Sequence, residues 1–594
     1  MAESPNNESS GLVNFTVYSE GTALSVLFSL ISVTIFKGVN RIGYARLVFT
    51  AGDMPQGEVP ESDDDSLAPG KVISVEVGYE DQKSPVFEGV IVSHSYVVDE
   101  GSSTLQIECK DYAFAATQVR RNNIYEKKKD SEAIEAILGV YSPLTLSVDA
   151  TSTIHNELVQ YYCTDWDFIL SRADANGLVV ITDLKTITVK SPDLSASPKL
   201  KVTYGIDLIE FKGELSTDEQ QAGIEAVAWN QADQNIFKVL GKTPTLNDQG
   251  TDKPETLAKT LGDGTYTLQT VLCAEESSLQ SWADAQAVKA GLSRIQGYCK
   301  FPGNAKALPG DLIELDGLGK RFNGNAYIGY VEHEIKEGEW VTTAGLGLLF
   351  ENVTDKADVM APAASGFLPG IPGLHVGKVT RLDADPTCEY KIEVDIPILN
   401  ATAKVWARLA NFWGSAGYGT FFIPDIGDEV VLGFFNDDPC HAVILGSLYS
   451  SKQKPAYELA AENTLRAITT KSKMKIEFDE EKKSITIQTP GNNTFQISDD
   501  AKGLQLTDQN NNKIIMNDGG ILLESSKDLT LKATNNVIIE AGAAIQANAK
   551  SDITMKGINI NGSASSEMTL KGNAKAELSA AGQTMVKGAM VMIN

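Results

Sequence analysis

Cysteine is scarce and scattered in this chain of 594 residues. Its six positions, Cys109, Cys163, Cys273, Cys299, Cys388 and Cys440, include no CxxC, so neither a zinc ribbon nor a redox pair is signalled. Isolated thiols fit a chain that folds in a reducing cytoplasm. Histidine is rarer still. His94, His155, His333, His375 and His441 lie far apart without a second ligand at metal spacing, so no metal or other cofactor is expected. Basic charge is in deficit, 51 Lys and Arg against 78 Asp and Glu, for a formal net charge of −27. Phosphate binding needs a basic surface, so nucleic acid is not an expected partner. The acid excess lies mainly before the C-terminal region, as in residues 58–65, which read as a solvated loop. The apolar run 23–35 is too short to span a bilayer and carries serines, so it reads as a buried strand. The polar, acidic start is no secretory signal, and there is no GxSxG, Walker loop or HExxH.

What the chain does have is alternation with a second period laid over it. Near the C-terminus apolar residues sit two apart, and the pair recurs every eight positions. Ile521/Leu523 is followed by Leu529/Leu531, Val537/Ile539, Ile545/Ala547 and Ile553/Met555. After one lost residue come Ile560/Gly562, Met568/Leu570, Ala576/Leu578, Thr584/Val586 and Met592/Asn594. Two-apart spacing means a strand with one buried face, and a repeat of eight leaves about five residues of strand and about three of turn. Two inward side chains per strand cannot make a core for one chain. Eight residues make one side of a rung, so three identical chains would close the cross-section, with inward residues meeting on a threefold axis. At about 4.8 Å per layer, about ten layers give a needle on the order of 50 Å. Upstream, the pairs Met474/Ile476, Ile485/Ile487, Phe495/Ile497, Leu504/Leu506 and Ile514/Met516 are separated by longer polar turns and predict a meander.

The rest of the chain predicts mainly strands, at 14–18, 32–36, 45–50, 72–79, 86–97, 103–108, 179–182, 186–190, 208–215, 311–315 and 327–336. Helices are expected at 131–139, at 166–176 behind Thr164 as N-cap, and at 279–295. Residues 1–11 read as a disordered tail. The run 360–373, rich in Pro, Gly and Ala, is the best domain boundary, and 450–470 reads as a connector.

Residues 374–449 carry a set of spaced motifs: Gly377-Lys-Val-Thr380, Val405-Trp-Ala-Arg408, Phe422-Ile-Pro-Asp-Ile-Gly-Asp-Glu-Val-Val-Leu-Gly-Phe434 and Val443-Ile-Leu-Gly-Ser-Leu-Tyr449. Pro424 and Gly427 punctuate a turn, Gly446 ends a strand, and Trp406, beside Arg408, is expected as a core aromatic. Asp428/Glu429 are expected where an exposed strand begins rather than as a catalytic pair. This block resembles the OB-type domain of VgrG proteins and related spikes of contractile injection machines. The stretches Thr16-Val-Tyr-Ser-Glu20, Asn40–Phe49, Gln160–Gly177, Leu308–Leu315 and Phe322–His333 resemble the hub of the same family.

The resemblance implies a mainly β architecture in three parts. These are a hub of tube-like β-domains with short helices over 1–373, an OB-fold barrel over 374–450, and a connector with an intertwined trimeric β-helix (β-prism) needle over 451–594. It further implies a homotrimer bound to a hexameric inner tube protein, to baseplate proteins and to a PAAR-repeat tip protein, which could bring effectors. Such a spike would be made in the bacterial cytoplasm and leave with the apparatus. The needle core is expected to use Leu529, Leu531, Val537, Ile539, Ile545, Ile553, Met555, Met568, Leu570, Leu578 and Val586. The cap is expected to dock on Met590, Val591, Met592, Ile593 and Asn594. No enzymatic domain is expected: about twenty residues separate Tyr449 from the first needle strand, where some relatives carry a lysozyme domain, and the chain stops inside the last repeat. Some phage needles bind iron through His-x-His, and no histidine follows His441. A polysaccharide-cleaving trimeric tailspike is the alternative. It would need paired carboxylates on a broad β face, whereas Glu524, Asp528, Glu540, Asp552, Glu567 and Glu577 mostly flank turns.

Overall fold

A computed structural model describes residues 2–7, 11–25, 27–53, 55–231, 233–260, 262, 264–272, 275–398 and 404–593. Cys273 and Asn594 lie outside the described residues. The chain divides into two compact units, Met1–Leu448 and Tyr449–Asn594. It is mainly β with few helices, as the sequence predicts.

In the first unit, alternating apolar strands build a large sheet. Val13–Ser19, Val72–Tyr79, Gln82–Asp99, Ser102–Lys110, Arg41–Thr50 and Leu30–Gly38 pair in that spatial order. Their inward residues, among them Val33, Ile35, Leu47, Phe49, Ile73, Val75, Leu105 and Ile107, form one buried cluster. Each such side chain contributes about 1.5–3 kcal/mol on burial. Leu30–Gly38 also pairs antiparallel with Gly324–Lys336, with Ile35 opposite His333. Through this seam the N-terminal strands join a second group around Val202, Phe301, Ile313 and Val331.

The three longest helices fall where expected: α1 (Asp130–Leu138), α2 (Asp165–Ala175) and α3 (Glu276–Ser293); short turns of helix at Pro60–Asp63 and Pro254–Ala258 are not among those expected. Thr164 caps α2 by accepting the Asp167 N–H at 3.1 Å, and Gly177, at φ +68°, lets the chain turn away.

Several expectations are corrected. The run 23–35 is not one strand: a strand begins only at Leu30, and Leu27 is exposed, because serines break the alternation. The start of the tail is anchored: Glu3 bridges to Leu200 through backbone hydrogen bonds with Lys199 and Lys201, and its carboxylate meets Lys306 at 2.7 Å. The acidic run 58–65 is partly structural, with Glu61 accepting the Gly52 N–H at 2.9 Å and Asp64 that of Ser66 at 2.8 Å. The antiparallel pair Arg120–Lys129/Ile154–Thr164 and the sheet of Gly223–Asn230, Asn235–Leu240 and Thr265–Leu272 are not among the expected strands.

The last part of this unit is a closed five-strand barrel. Its strands are β1 (His375–Arg381), β2 (Ile392–Asp395), β3 (Lys404–Leu409), β4 (Glu429–Phe434) and β5 (Ala442–Ser447), in the order β1-β2-β3-β5-β4. Val379, Ile392, Val394, Ala407, Val430, Leu432 and Ile444 fill it.

The second unit contains a seven-strand antiparallel meander: β6 (Leu465–Thr469), β7 (Lys475–Asp479), β8 (Ser484–Gln488), β9 (Thr494–Ser498), β10 (Gly503–Thr507), β11 (Lys513–Asn517) and β12 (Gly520–Glu524). It is longer than expected at both ends. Leu465–Thr469 is a strand rather than connector. Ile521/Leu523, counted with the octads, belongs to β12, because Asp518-Gly519 closes a two-residue loop between β11 and β12. The strands expected beyond Glu524 do not form within one chain: no described residue after 524 is in a strand or helix.

Candidate functional site

The meander places its apolar residues directly opposite one another. Ile476 faces Ile487, Phe478 faces Ile485, and Ile485 and Ile487 face Ile497 and Phe495. The ladder continues through Phe495 to Leu506, Ile497 to Leu504, Leu504 to Met516 and Leu506 to Ile514. It ends with Ile514 opposite Leu523 and Met516 opposite Ile521. Antiparallel pairing with period-two alternation puts these side chains on one face. On that face Ile476, Phe478, Ile485, Ile487, Ile497, Leu504, Leu506, Ile514 and Met516 are each 37–44% exposed, so one chain leaves the stripe half open. A contiguous apolar surface of this size marks an interaction face.

Polar groups fix the strands and turns. Asp479 accepts the Lys482 N–H at 3.0 Å, and Asp508 those of Asn510 at 2.8 Å and Asn512 at 2.9 Å. These turn bonds hold both carboxyls below the usual range, the Lys482 and Asn512 backbone donors contributing most. The Tyr457 hydroxyl hydrogen-bonds to Glu477, which raises the phenol to about 12 and lowers the carboxyl, while Lys475 sits 3.0 Å from the same carboxylate. The segment before the meander is thereby tied to β7.

Beyond β12 the octad residues are open. Leu529, Leu531, Val537, Ile539, Ile545, Ile553, Met555, Met568, Leu570, Leu578 and Val586 are all 55–79% exposed. The terminal Met590, Val591, Met592 and Ile593 are exposed too. The carboxylates of this region do not converge: Glu567 accepts the Thr569 hydroxyl at 2.7 Å, Glu577 pairs with Lys575, and Glu524 lies 3.9 Å from Lys513.

In the barrel, Trp406 is not a core residue. It stands outward on β3 opposite Glu393, only half-buried, beside exposed Arg408, while its neighbour Ala407 points inward. Gly427 takes φ +98° in the turn after Pro424 and donates to the Val379 carbonyl at 2.9 Å. Asp428 begins the approach to β4 and accepts the Asp425 N–H at 2.8 Å; it and Glu429 are half-buried rather than exposed. Gly446 lies within β5, opposite Val431.

The histidines are separately bonded. His94 contacts the Leu67 carbonyl and Ser62, His155 contacts Asp130, and His441 contacts Asp438. His333 is buried against Thr342 and Trp340, and burial lowers its pKa to about 3. Among the described residues no group of three His, Cys, Asp or Glu could hold a metal ion, and no helix is long and apolar enough to cross a membrane.

A family model described as the Alg8 N-terminal domain matches residues 9–337, more than half of the chain. A second, the type VI secretion system/phage-baseplate injector OB domain, matches residues 375–449, the barrel. The type VI secretion system spike protein VgrG1b of Pseudomonas aeruginosa is 21% identical over 446 residues, covering 68% of this chain. The match spans only 57% of that protein's length. Among solved structures, the E. coli c3393 protein is described as a component of the type VI secretion system similar to T4 bacteriophage tail proteins gp27 and gp5. It matches with a TM-score of 0.37 and 12% identity over 73% of this chain and 99% of that one. A chain of the lidded Francisella PdpA–VgrG complex matches with a TM-score of 0.37 and 11% identity over 86% of this chain and 79% of that one.

Proposed function

Since the chain belongs to the Alg8 N-terminal domain family and is a VgrG-like spike component of the type VI secretion and phage-tail kind, we propose that it acts as a homotrimeric hub and needle. The observation that carries this reading is the apolar stripe of the second unit, laddered from Ile476 to Leu523 and continued by the octads. Three copies would bring these stripes together, burying them and closing a β-prism in which backbone groups unpaired in one chain find partners. Residues 1–373 would form the hub and meet a hexameric inner tube and baseplate proteins. Residues 374–450 would form the collar, and 451–594 the connector and needle.

The role is mechanical. A sheath would drive the tube forward, and the narrow needle would concentrate force on a target envelope while effectors travel with it. The scattered needle carboxylates favour solvation over catalysis. Met590 to Ile593 with Asn594 would seat a PAAR-repeat cap, since the exposed apolar side chains of Met590 to Ile593 invite association. The protein would be made in the bacterial cytoplasm and leave with the apparatus.

Native mass spectrometry of the full chain should give a trimer that survives SDS without boiling; a monomer would sink the proposal. Removing residues 590–594 should abolish co-purification with a PAAR-repeat protein and leave the trimer intact, and unchanged co-purification would refute the cap assignment.

A further inference from the structure

The barrel carries a feature that its own core does not use. Between β3 and β4 the chain makes a small hairpin, Gly414-Ser415 pairing with Tyr418-Gly419. Trp413 packs edge-on against Tyr418 at 5.8 Å, and the Thr420 N–H donates to the Trp413 carbonyl at 2.9 Å. The hairpin is thus a preformed tongue. Phe412, Trp413, Tyr418, Phe421 and Phe422 are all exposed, Phe412 at 89% and Phe421 at 87%, and none joins the barrel cluster. A two-stranded ribbon is marginal alone and calls for a surface to pack on.

The same barrel offers such a surface on its outer wall. On the adjacent strands β1, β4 and β5, Val376, Val431, Val443 and Leu445 alternate outward, with Val376 opposite Val431 and Gly433 opposite Val443. Gly433 leaves a hollow at the centre. A Cβ placed there would lie 3.4 Å from Leu445, 3.7 Å from Val443 and 3.9 Å from Leu374, at ordinary contact distance. Gly433 itself is buried, whereas Leu374, Val376 and Leu445 around it are exposed.

Charge argues that the occupant is another copy. Each chain carries −27, so like copies repel except where their surfaces are uncharged. Residues 410–424 contain no Asp, Glu, Lys or Arg, and the hollow is built from Leu, Val and Gly. Tongue and hollow are different patches of one barrel, so their contact is head-to-tail, and such contacts close into a ring when the rotation between copies divides a full turn. We propose that the aromatic tongue of each barrel seats in the Gly433 hollow of the next copy, closing a ring of three. This rests on the trimer reading for its number. The needle would tether the barrels through the segment after Ser447, and tethering lets a small contact suffice.

The test is disulfide trapping in the full chain with exposed Cys388 and Cys440 replaced by serine. Phe421→Cys together with Val376→Cys should give dimer- and trimer-sized bands on a non-reducing gel after mild oxidation, and either change alone should not. Adding Gly433→Ala, whose Cβ meets its neighbours at ordinary contact distance, or Gly433→Leu should cut the yield, the leucine at least tenfold, while circular dichroism is unchanged. Native mass spectrometry separates the failures. A trimer that gives no intersubunit band, or only a monomer-sized cross-linked band, overturns the tongue contact and leaves the trimer standing. A chain that is monomeric throughout overturns both.

Discussion

The meander and the octads share one pattern of apolar residues two apart, yet only the meander builds sheet within a chain. The difference lies in the turns. Between β7 and β8, and between β10 and β11, the chain has enough residues to reverse, and Asp479 and Asp508 fix those reversals by accepting backbone N–H groups. Each strand therefore meets the previous one of the same chain. In the octads about three residues separate strand-length stretches, and the described residues there find no ladder partner in the chain. Short-range alternation says which residues share a face; which residues stand in the turn, as Asp518-Gly519 does between β11 and β12, says whether the chain reverses onto itself.

The contrast can be broken most sharply by a buried charge. Ile539→Asp would place three carboxylates about one axis in a region with no intrachain sheet to fall back on. The cost is on the order of several kcal/mol per copy. We expect loss of the SDS-resistant trimer; a persistent trimer would count against the packing. The matching change Ile497→Asp should weaken the trimer but leave the meander's strand signal in circular dichroism, because β9 keeps its hydrogen bonds to β8 and β10.

A deletion series tests the period itself. Removing residues 537–544 takes out one whole octad and brings Ile545 where Val537 stood. The fibre should shorten by one layer and remain an SDS-resistant trimer with a slightly lower Tm. Removing 537–540 alone throws the apolar pair out of step and should destabilise it far more. An eight-residue deletion in the meander has no such safe outcome, because its strands recur at irregular intervals. Equal damage from both octad deletions would mean that the eight-residue count has no structural meaning.

Legibility followed the same divide. The strands around Ile73–Val77 and Leu105–Ile107, and helices α2 and α3, were readable because their apolar period matches their secondary structure and their partners lie in the same chain. The strand Arg120–Lys129 carries almost no apolar alternation, since nearly all of its side chains are polar or charged and exposed. Trp406 was misplaced for a related reason: bulk suggested burial, whereas alternation along β3 puts Ala407 inside and Trp406 outside. The tongue at 412–422 leaves no pattern in the sequence, because glycines and aromatics mix there without a period. In the candidate site, which residues share a face could be read from spacing alone. Where the meander hands over to the octads could not, because Asp518-Gly519 sits inside the repeat and turns what looks like the first octad into the last hairpin strand.

The smallest expected effect concerns acid. Asp508 has its carboxyl held below the usual range, first by the Asn512 backbone N–H and then by the Asn512 amide and Asn510. A folded-state pKa below the unfolded one adds stability that is present above about pH 4 and lost as pH falls through the depressed value. Asp508→Asn removes that titration while keeping an acceptor for the turn. In thermal melts the variant should lie slightly below the parent at pH 7, and the gap should narrow as pH falls through the depressed value. The corresponding change in the octads, Asp552→Asn, should shift neither curve, since the Asp552 contact is with the neighbouring Ser551 hydroxyl and closes no turn. If both substitutions moved the melts equally, capped turns would not be what sets the meander apart from the octads.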